Sequence, residues 1–174
     1  MKNINRGDFL QKSNKTLEAI VDMIDKLPDI NLTDLDQKRT ALVIIDMING
    51  FAKEGALKSS RIEAIAPAIA KLSALCDQLE IQKVAFADCH PEESPEFASY
   101  PVHCLKGSYE AEVVDEIKNI GGYELIEKNS TNGFLEEKFK MWLDKNKHLD
   151  TFILTGDCTD ICVLQFALTL KTWF

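Results

Sequence analysis

The sequence predicts a three-layer α/β/α protein with a mostly parallel, Rossmann-like sheet. Helical and strand-like segments alternate along the chain, an order that is typical of strands joined by right-handed helical crossovers. The segment that starts at Thr40 is an almost unbroken apolar run, which indicates a strand buried on both faces. In such sheets the functional residues lie at the carboxyl ends of the strands.

Length, composition and charge favour a globular protein that acts on a small molecule. At 174 residues the chain fits one domain that buries roughly 70% of its unfolded surface. No apolar run approaches the roughly 20 residues of a membrane span, and residues 1–15 lack the apolar core of a signal peptide. Five cysteines without a disulfide-scaffold pattern favour a reducing, cytoplasmic location. The net charge of -8, with scattered basic residues, argues against a nucleic-acid partner.

The first forty residues predict a helical extension that precedes the domain. Apolar residues recur at helical spacing over 8–27, and Pro28 stops the pattern. The apolar stripe of this helix must pack either on the domain or on a partner chain, and both alternatives stay open. We therefore divide the chain into an extension at residues 1–39 and a domain at residues 40–174.

The first half of the domain follows the order strand, helix, strand. Asp46 ends the first strand among apolar residues, where a carboxylate must be paired or functional. Ser60 and Glu63 match a capping box at the start of a long helix, and Pro67 either kinks this helix or marks the first turn of its regular part. The predicted elements are a strand at 40–46, a helix at 60–79 and a second strand, also ending in an aspartate, at 83–88.

The second half begins with a long polar segment at residues 90–107, which is too long for a simple connector and is therefore a candidate binding loop. Lys128 follows the third predicted strand. The predicted elements of this half are a helix at 110–120, a strand at 123–126, a helix at 134–147, a strand near 152–154 and a helix that opens at Cys162.

Cys162 is the candidate nucleophile. It follows a strand and a turn through Gly156, so it is placed on the opening turn of a helix. The positive end of a helix dipole stabilises an anion, which should lower the pKa of the thiol. The alternative is that Cys162 is a small buried apolar residue.

Three strand-end residues together could perform chemistry on a carbonyl group. A cysteine nucleophile needs a base, and Asp46, in an apolar environment, fits that role. Lys128 between them could hold the carboxylate and the thiolate and could stabilise developing charge. The alternative is that Asp46 and Lys128 form a structural ion pair at a strand end.

A second group of polar residues predicts a metal site. Asp88 and His90 project to the same side of an extended segment, and Glu96 and His103 can return to them from the loop. Imidazole and carboxylate ligands suit Zn²⁺, Fe²⁺ or Mn²⁺. Two cysteines compete as ligands, Cys89 and Cys104, although the first points away if the segment is extended.

These motifs together resemble the isochorismatase-like cysteine hydrolases, specifically the nicotinamidases. The resemblance rests on Asp46 followed by Phe51, on the Asp88–His90 pair with a downstream histidine, on Lys128 followed by Phe134, and on the sequence GDCTDICV around the candidate nucleophile. It extends from about residue 40 to the end of the chain. The metal-binding set separates nicotinamidases from the metal-free branch of the superfamily.

The resemblance implies a role for each residue of the site. Asp46 would be the general base and acid, Cys162 the nucleophile and Lys128 their electrostatic partner. A cis peptide before Cys158 would aim the backbone amides of Cys158 and Cys162 into an oxyanion hole, and Phe51 would be a wall for an aromatic ring. The divalent metal, most often zinc, would bind the pyridine nitrogen through Asp88, His90, Glu96 and His103. The implied reaction is hydrolysis of nicotinamide to nicotinate and ammonia through a thioester.

The sequence departs from the family at both ends. The family usually continues after the cysteine helix with another strand and helix, whereas this chain stops at Phe174. A native short form, a truncated chain and a chain completed by a partner all stay open, and an uncovered sheet edge predicts a homo-oligomer. The alternatives to a nicotinamidase are an amidase of the same superfamily acting on another small amide, and an inactive metal-binding or assembly module.

Overall fold

The computed structural model describes residues 5–174, which divide into two units, one ending at Asp34 and one formed by Leu35–Phe174. The first unit contains helix α1 (Arg6–Asp25), which ends two residues before the position predicted from the sequence. The side chain of Asn5 caps α1 by accepting hydrogen bonds from the backbone amides of Gly7 and Asp8. Within residues 5–174, no helix has both the length and the apolarity needed to cross a membrane.

The second unit is built on a four-stranded, entirely parallel sheet. Its strands are β1 (Thr40–Ile45), β2 (Gln82–Asp88), β3 (Glu124–Lys128) and β4 (Thr151–Gly156). The strand order is β3-β2-β1-β4, so β1 is central and β4 lies at an edge of the sheet formed by the described residues. In the pairing register, Ile45 lies opposite Gly156, and Asp88 lies opposite Lys128. The polar strand ends predicted from the sequence therefore share one edge.

Helices cover both faces of the sheet, which confirms the predicted three-layer α/β/α class. Every residue of β1 is buried, and alternate residues point to opposite faces. Ala41, Val43 and Ile45 belong to a core cluster with aromatic residues that follow β3, whereas α3 contacts the sheet separately. The helices of this unit are α2 (Asn49–Ala52), α3 (Ser60–Gln78), α4 (Asp115–Lys118), α5 (Glu137–Lys145) and α6 (Leu164–Trp173).

The prediction of a helix at 110–120 is wrong for most of that segment. The segment contains a single 3₁₀ turn at Tyr109–Ala111 and the short helix α4. Between them, Val113 forms an antiparallel bridge with Ile48, and the backbone amide of Val114 bonds the carbonyl of Met47. This backbone pairing with the chain after β1 holds the segment extended and overrides its local helical pattern.

Helix α3 begins at the predicted residue but without the predicted cap, and the helix after β3 begins later than predicted. Helix α3 runs from Ser60 with Pro67 inside it, and its N-cap, Ser59, makes no side-chain capping bond, so the predicted capping box is wrong. Glu63 instead lies 3.3 Å from the ammonium of Lys53. The helix predicted at 134–147 begins with a 3₁₀ turn at Gly133–Leu135 and becomes α-helical only at Glu137.

The turn after β4 depends on one glycine. Gly156 has a φ of +123°, and a Cβ atom there would lie 1.9 Å from the carbonyl oxygen of Ile45. Only glycine allows this close approach of the two backbones. The chain leaves β4 tightly against the end of β1, and this brings the segment around Cys162 next to Asp46.

Candidate active site

Lys128 is the centre of the site. Its ammonium lies 2.8 Å from Oδ1 of Asp88, 2.9 Å from Oδ2 of Asp46 and 3.9 Å from Sγ of Cys162. It also donates a hydrogen bond to the backbone carbonyl of Ser130. The structure therefore brings together the three residues predicted for carbonyl chemistry and joins them to the predicted metal ligand Asp88.

Burial and charge set the proton affinities of this group. Asp46 is fully buried, and its desolvation raises the pKa to about 6, although the charge of Lys128 opposes the shift. Burial lowers the pKa of Lys128, but the charges of Asp46 and Asp88 outweigh that effect and raise it above the usual range. Oδ2 of Asp46 contacts the Lys128 ammonium, and the remaining lone pairs of this carboxylate can accept a proton.

The prediction that a helix N-terminus lowers the pKa of Cys162 is wrong. Cys162 is the fourth residue of a π-helical segment, Thr159–Val163, and α6 begins only after it. Burial of the sulfur and the negative charge of Asp46 both raise the pKa of the thiol. Both effects favour the neutral thiol, so Cys162 needs a base to become a nucleophile.

The four predicted metal ligands form a compact group. One ligand atom each from Asp88, His90, Glu96 and His103 lies within 4.8 Å of the others. The Nε2 atoms of His90 and His103 lie 3.0 Å and 3.4 Å from Oδ2 of Asp88. Neither Cys89 nor Cys104 belongs to this group, so the two cysteines considered as rival ligands are left out of it.

The hydrogen bonds around the histidines prepare them to bind a metal. Nδ1 of His90 lies 2.6 Å from Oδ1 of Asn129, and Nδ1 of His103 lies 2.7 Å from the carbonyl oxygen of Pro101. Each acceptor fixes the proton on Nδ1 and leaves the Nε2 lone pair free. Nε2 of His90 is buried and accepts no hydrogen bond. The donor set therefore fits a divalent cation.

Sequence reasoning missed the residues that orient His90. Asn129 follows Lys128 directly. The hydroxyl of Ser94 donates a hydrogen bond to the side-chain oxygen of Asn129 at 3.1 Å. The hydroxyl of Ser94 also lies 3.3 Å from Nδ1 of His90. The position of Asn129 next to a strand-end lysine was a usable signal, because strand ends converge on the site. Ser94 gave none, since it lies in a polar loop.

A cavity of about 200 Å³ opens beside the thiol and the metal ligands. Its walls are mostly apolar. Phe51 contributes to them, and its ring centroid lies 5.8 Å from that of His103. Cys158 also lines the cavity, and the peptide bond before it, Asp157–Cys158, is cis, as the resemblance implies. The residues that line the cavity are Phe51, Leu57, Ile62, Asp88, Glu96, Tyr100, His103, Thr131, Asp157, Cys158, Ile161 and Cys162.

The fold and the site define an α/β protein with a buried Asp–Lys–Cys group and a cluster of possible metal ligands on one edge of a parallel sheet. The model of the isochorismatase domain matches residues 40–172. The chain therefore belongs to the isochorismatase family. Nicotinamidase 1 of Arabidopsis thaliana is 32% identical to it over 145 residues, which cover 74% of this chain and 58% of that protein. The chain thus spans well under two thirds of the length of this relative.

Solved structures of the family share the fold. N-carbamoylsarcosine amidase from Thermoplasma acidophilum superposes with a TM-score of 0.69 at 30% identity, and the match covers 75% of each chain. The pyrazinamidase/nicotinamidase from Streptococcus mutans UA159 superposes with a TM-score of 0.70 at 26% identity, and the match covers 77% of this chain and 80% of that one.

Proposed function

We propose that this chain is a metal-dependent cysteine amidohydrolase that hydrolyses nicotinamide to nicotinate and ammonia. The observation that carries the proposal is the position of Lys128 between Asp46 and Asp88, with Cys162 within 3.9 Å. This lysine joins a base and a thiol to a metal-binding carboxylate, so one cavity can hold a substrate by its ring and attack its amide.

Asp46 begins the reaction by taking the proton of the Cys162 thiol. With a pKa of about 6 it is mostly ionised at neutral pH, yet basic enough to accept a proton. The sulfur then attacks the amide carbon. We assign the backbone amides of Cys158 and Cys162 to the developing oxyanion. Lys128 offsets the negative charge that passes between the carboxylate and the sulfur.

The protonated Asp46 completes the first half of the reaction. It gives its proton to the amide nitrogen, the C–N bond breaks, and ammonia leaves a thioester on Cys162. Asp46, again ionised, takes a proton from water, which attacks the thioester carbon. The carbon–sulfur bond breaks, nicotinate is released, and the thiolate regains its proton. One carboxylate therefore acts as base and acid in turn.

A metal held by the four ligand residues would orient the substrate in this scheme. Asp88, His90, Glu96 and His103 would hold a divalent cation, zinc by preference, with iron or manganese as alternatives for the same ligands. When bound, it supplies a Lewis-acidic site for the pyridine nitrogen. Phe51 packs against the side of His103 and offers an apolar wall to the ring of the substrate.

Nicotinamide is the substrate we propose because of the similarity to Nicotinamidase 1 and the donor set beside an apolar cavity. This reaction would place the chain in NAD metabolism, in pyridine nucleotide salvage. All five cysteines are free thiols, which favours the cytoplasm. A second candidate is another small amide, because an N-carbamoylsarcosine amidase is the neighbour with 30% identity.

Removing the metal separates positioning from covalent chemistry. We expect chelation to abolish binding of pyridine-type amides, measured by calorimetry, while Cys162 stays reactive toward a small alkylating agent. His103→Ala should have the same effect, because one imidazole of the set is lost. His148→Ala is the matched control, since His148 is exposed and outside the ligand group.

The covalent route has its own test. Rapid quenching of the reaction with nicotinamide, followed by intact-mass analysis, should show a nicotinoyl adduct on Cys162. Turnover without any such adduct would overturn the covalent route. Assays with a panel of small amides that includes N-carbamoylsarcosine identify the substrate. If the enzyme hydrolyses other amides of the panel but not nicotinamide, the second candidate is favoured.

A further inference from the structure

Asp157 is a buried carboxylate for which the scheme above has no use. It follows β4 directly, is 4% exposed, and lines the cavity that contains Cys162. Its Oδ2 atom is fully buried and has no hydrogen-bond partner among the described residues. Its Oδ1 atom has only a weak contact, 3.9 Å from the thiol sulfur of Cys158. A buried polar atom without a partner is destabilising, so its presence needs an explanation.

A structural role does not explain this side chain. The backbone amide of Asp157 bonds the carbonyl of Ile45, and any residue other than proline would make that bond. No ion pair joins the carboxylate to a basic residue in the described part of the chain. An apolar side chain of similar size would satisfy the packing without a desolvation cost.

Burial and the nearby negative charges favour the neutral form of Asp157. Burial, together with the negative charges of Asp46 and Asp88, raises the pKa of Asp157 to about 8, against the opposing effect of Lys128. Two ionised carboxylates already share the single charge of Lys128. At neutral pH the third carboxyl group is therefore mostly protonated, and such a group can both donate and accept a hydrogen bond.

Asp157 also marks where a ligand can extend. It lines a second cavity, of about 530 Å³, on the side of the α3 residues Arg61 and Ile65. Leu57, Ile62 and Cys158 line both cavities. A substituent on a ligand bound beside Cys162 would pass this carboxyl group on its way toward the second cavity.

We propose that Asp157 is a specificity-determining residue that hydrogen-bonds a second polar group of the substrate, one carried in addition to the amide that is cleaved. The substrate class is then a small cyclic amide bearing a neutral or cationic N–H or O–H substituent. An anionic substituent beside Asp157 is disfavoured, because the carboxylates of Asp46 and Asp88 lie near it and the buried Lys128 offsets only one of their two charges. This inference rests on the proposed amidase function and names its substrate class.

Binding measurements without turnover test the inference. Cys162→Ala protein with Zn²⁺ added is titrated by calorimetry with nicotinamide and with its amino- and hydroxy-substituted forms, one ring position at a time. We expect at least one substituted amide to bind tenfold or more tightly than nicotinamide. In the Cys162→Ala background, Asp157→Leu should remove that preference, and Asp157→Asn, which keeps polar atoms at the site, should retain most of it.

Controls separate this contact from a folding effect. Asp144→Leu changes an exposed acid of α5 that lines neither cavity, and it should leave the preference unchanged. Asp157→Leu should also raise the unfolding temperature, because it removes an unpartnered buried carboxyl group. If Asp157→Leu retains the preference, or if no substituted amide binds better than nicotinamide, the proposal is wrong. Turnover of nicotinamide by the native enzyme is measured in parallel and reports on the proposed function alone.

Discussion

Lys128 determines the charge balance at the scale of single residues. It is 1% exposed and contacts two buried carboxylates, so the cluster keeps one excess negative charge. The two acids respond differently. Burial raises the pKa of Asp88, but its contacts with the rings of His103 and His90, together with the charge of Lys128, bring it below the usual range. For Asp46, burial outweighs the charge of Lys128, so it stays the more basic of the two, and we propose it as the proton acceptor.

Removal of the nucleophile is the first residue-scale prediction. Cys162→Ala should abolish amide hydrolysis, because no other thiol lies beside Lys128. Cys76→Ala is the control: Cys76 is completely buried in α3, away from the cavity, so it should cost only packing energy. Steady-state ammonia release measures both variants. Hydrolysis that survives in Cys162→Ala would contradict the assignment of the nucleophile.

The pH dependence of the rate follows from Asp46. Its carboxylate must be ionised to take a proton, so with a pKa of about 6 the value of kcat/KM should fall about tenfold for each pH unit below 6. Asp46→Asn should lower the rate by about 10²-fold or more and remove this acid limb. A flat profile between pH 5 and 7 in the native enzyme would argue for a structural ion pair instead.

At the scale of elements, the ends of the strands make the site. The register places Asp88 opposite Lys128 and Ile45 opposite Gly156, so each functional residue follows from the pairing of its strand. Asp46 itself adopts a left-handed conformation, with a φ of 56°, which turns the chain sharply out of β1. Such conformations are uncommon for residues other than glycine and are often found at functional sites.

Gly156 provides an element-scale prediction. Gly156→Ala places a Cβ atom 1.9 Å from a carbonyl oxygen of β1, so the strands must separate, and we expect a loss of more than about 3 kcal/mol. Gly107→Ala is the control. Gly107 also has a positive φ, +79°, but nothing lies within 4 Å of the added atom, so the loss should be about 1–2 kcal/mol. Urea unfolding measures the loss in the free energy of unfolding for both variants. Equal losses would contradict this explanation.

At the scale of the whole molecule, the core and the site belong to the same unit. The residues of the core cluster lie between Ala41 and Leu170, and all proposed site residues lie within Leu35–Phe174. We propose that residues 1–39 are an extension outside the catalytic domain at 40–174. The boundary between the two compact units of the structure lies a few residues earlier, after Asp34.

Self-association is the whole-molecule prediction. All six residues of β1 are buried, whereas all six of β4, at the sheet edge, are only half-buried. An uncovered strand edge favours pairing with another chain, so we propose a homo-oligomer. Thr151→Lys places a charge on β4 and should weaken self-association about tenfold, as measured by light scattering. Thr172→Lys is the control, because Thr172 is exposed on α6, and it should leave association unchanged. A monomer at every concentration would contradict the proposal.

The amino-acid pattern determined much of this protein by itself. Apolar runs that end in Asp46 and Asp88 predicted parallel strands whose carboxyl ends meet, because burial on both faces leaves a strong local signal. The spacing of acids and histidines after β2 predicted the metal-binding group. These features depend on residues close together in the chain or on the general geometry of parallel sheets.

Only the tertiary structure decided the electrostatics and the polar contacts of the site. The pKa of Cys162 is raised because packing buries its sulfur and because Asp46, far away in the chain, lies beside it. The contact of Asn129 with His90 and the lack of a partner for Asp157 also depend on residues distant in the chain. Desolvation and long-range charge are properties of the packed molecule, and no local pattern encodes them.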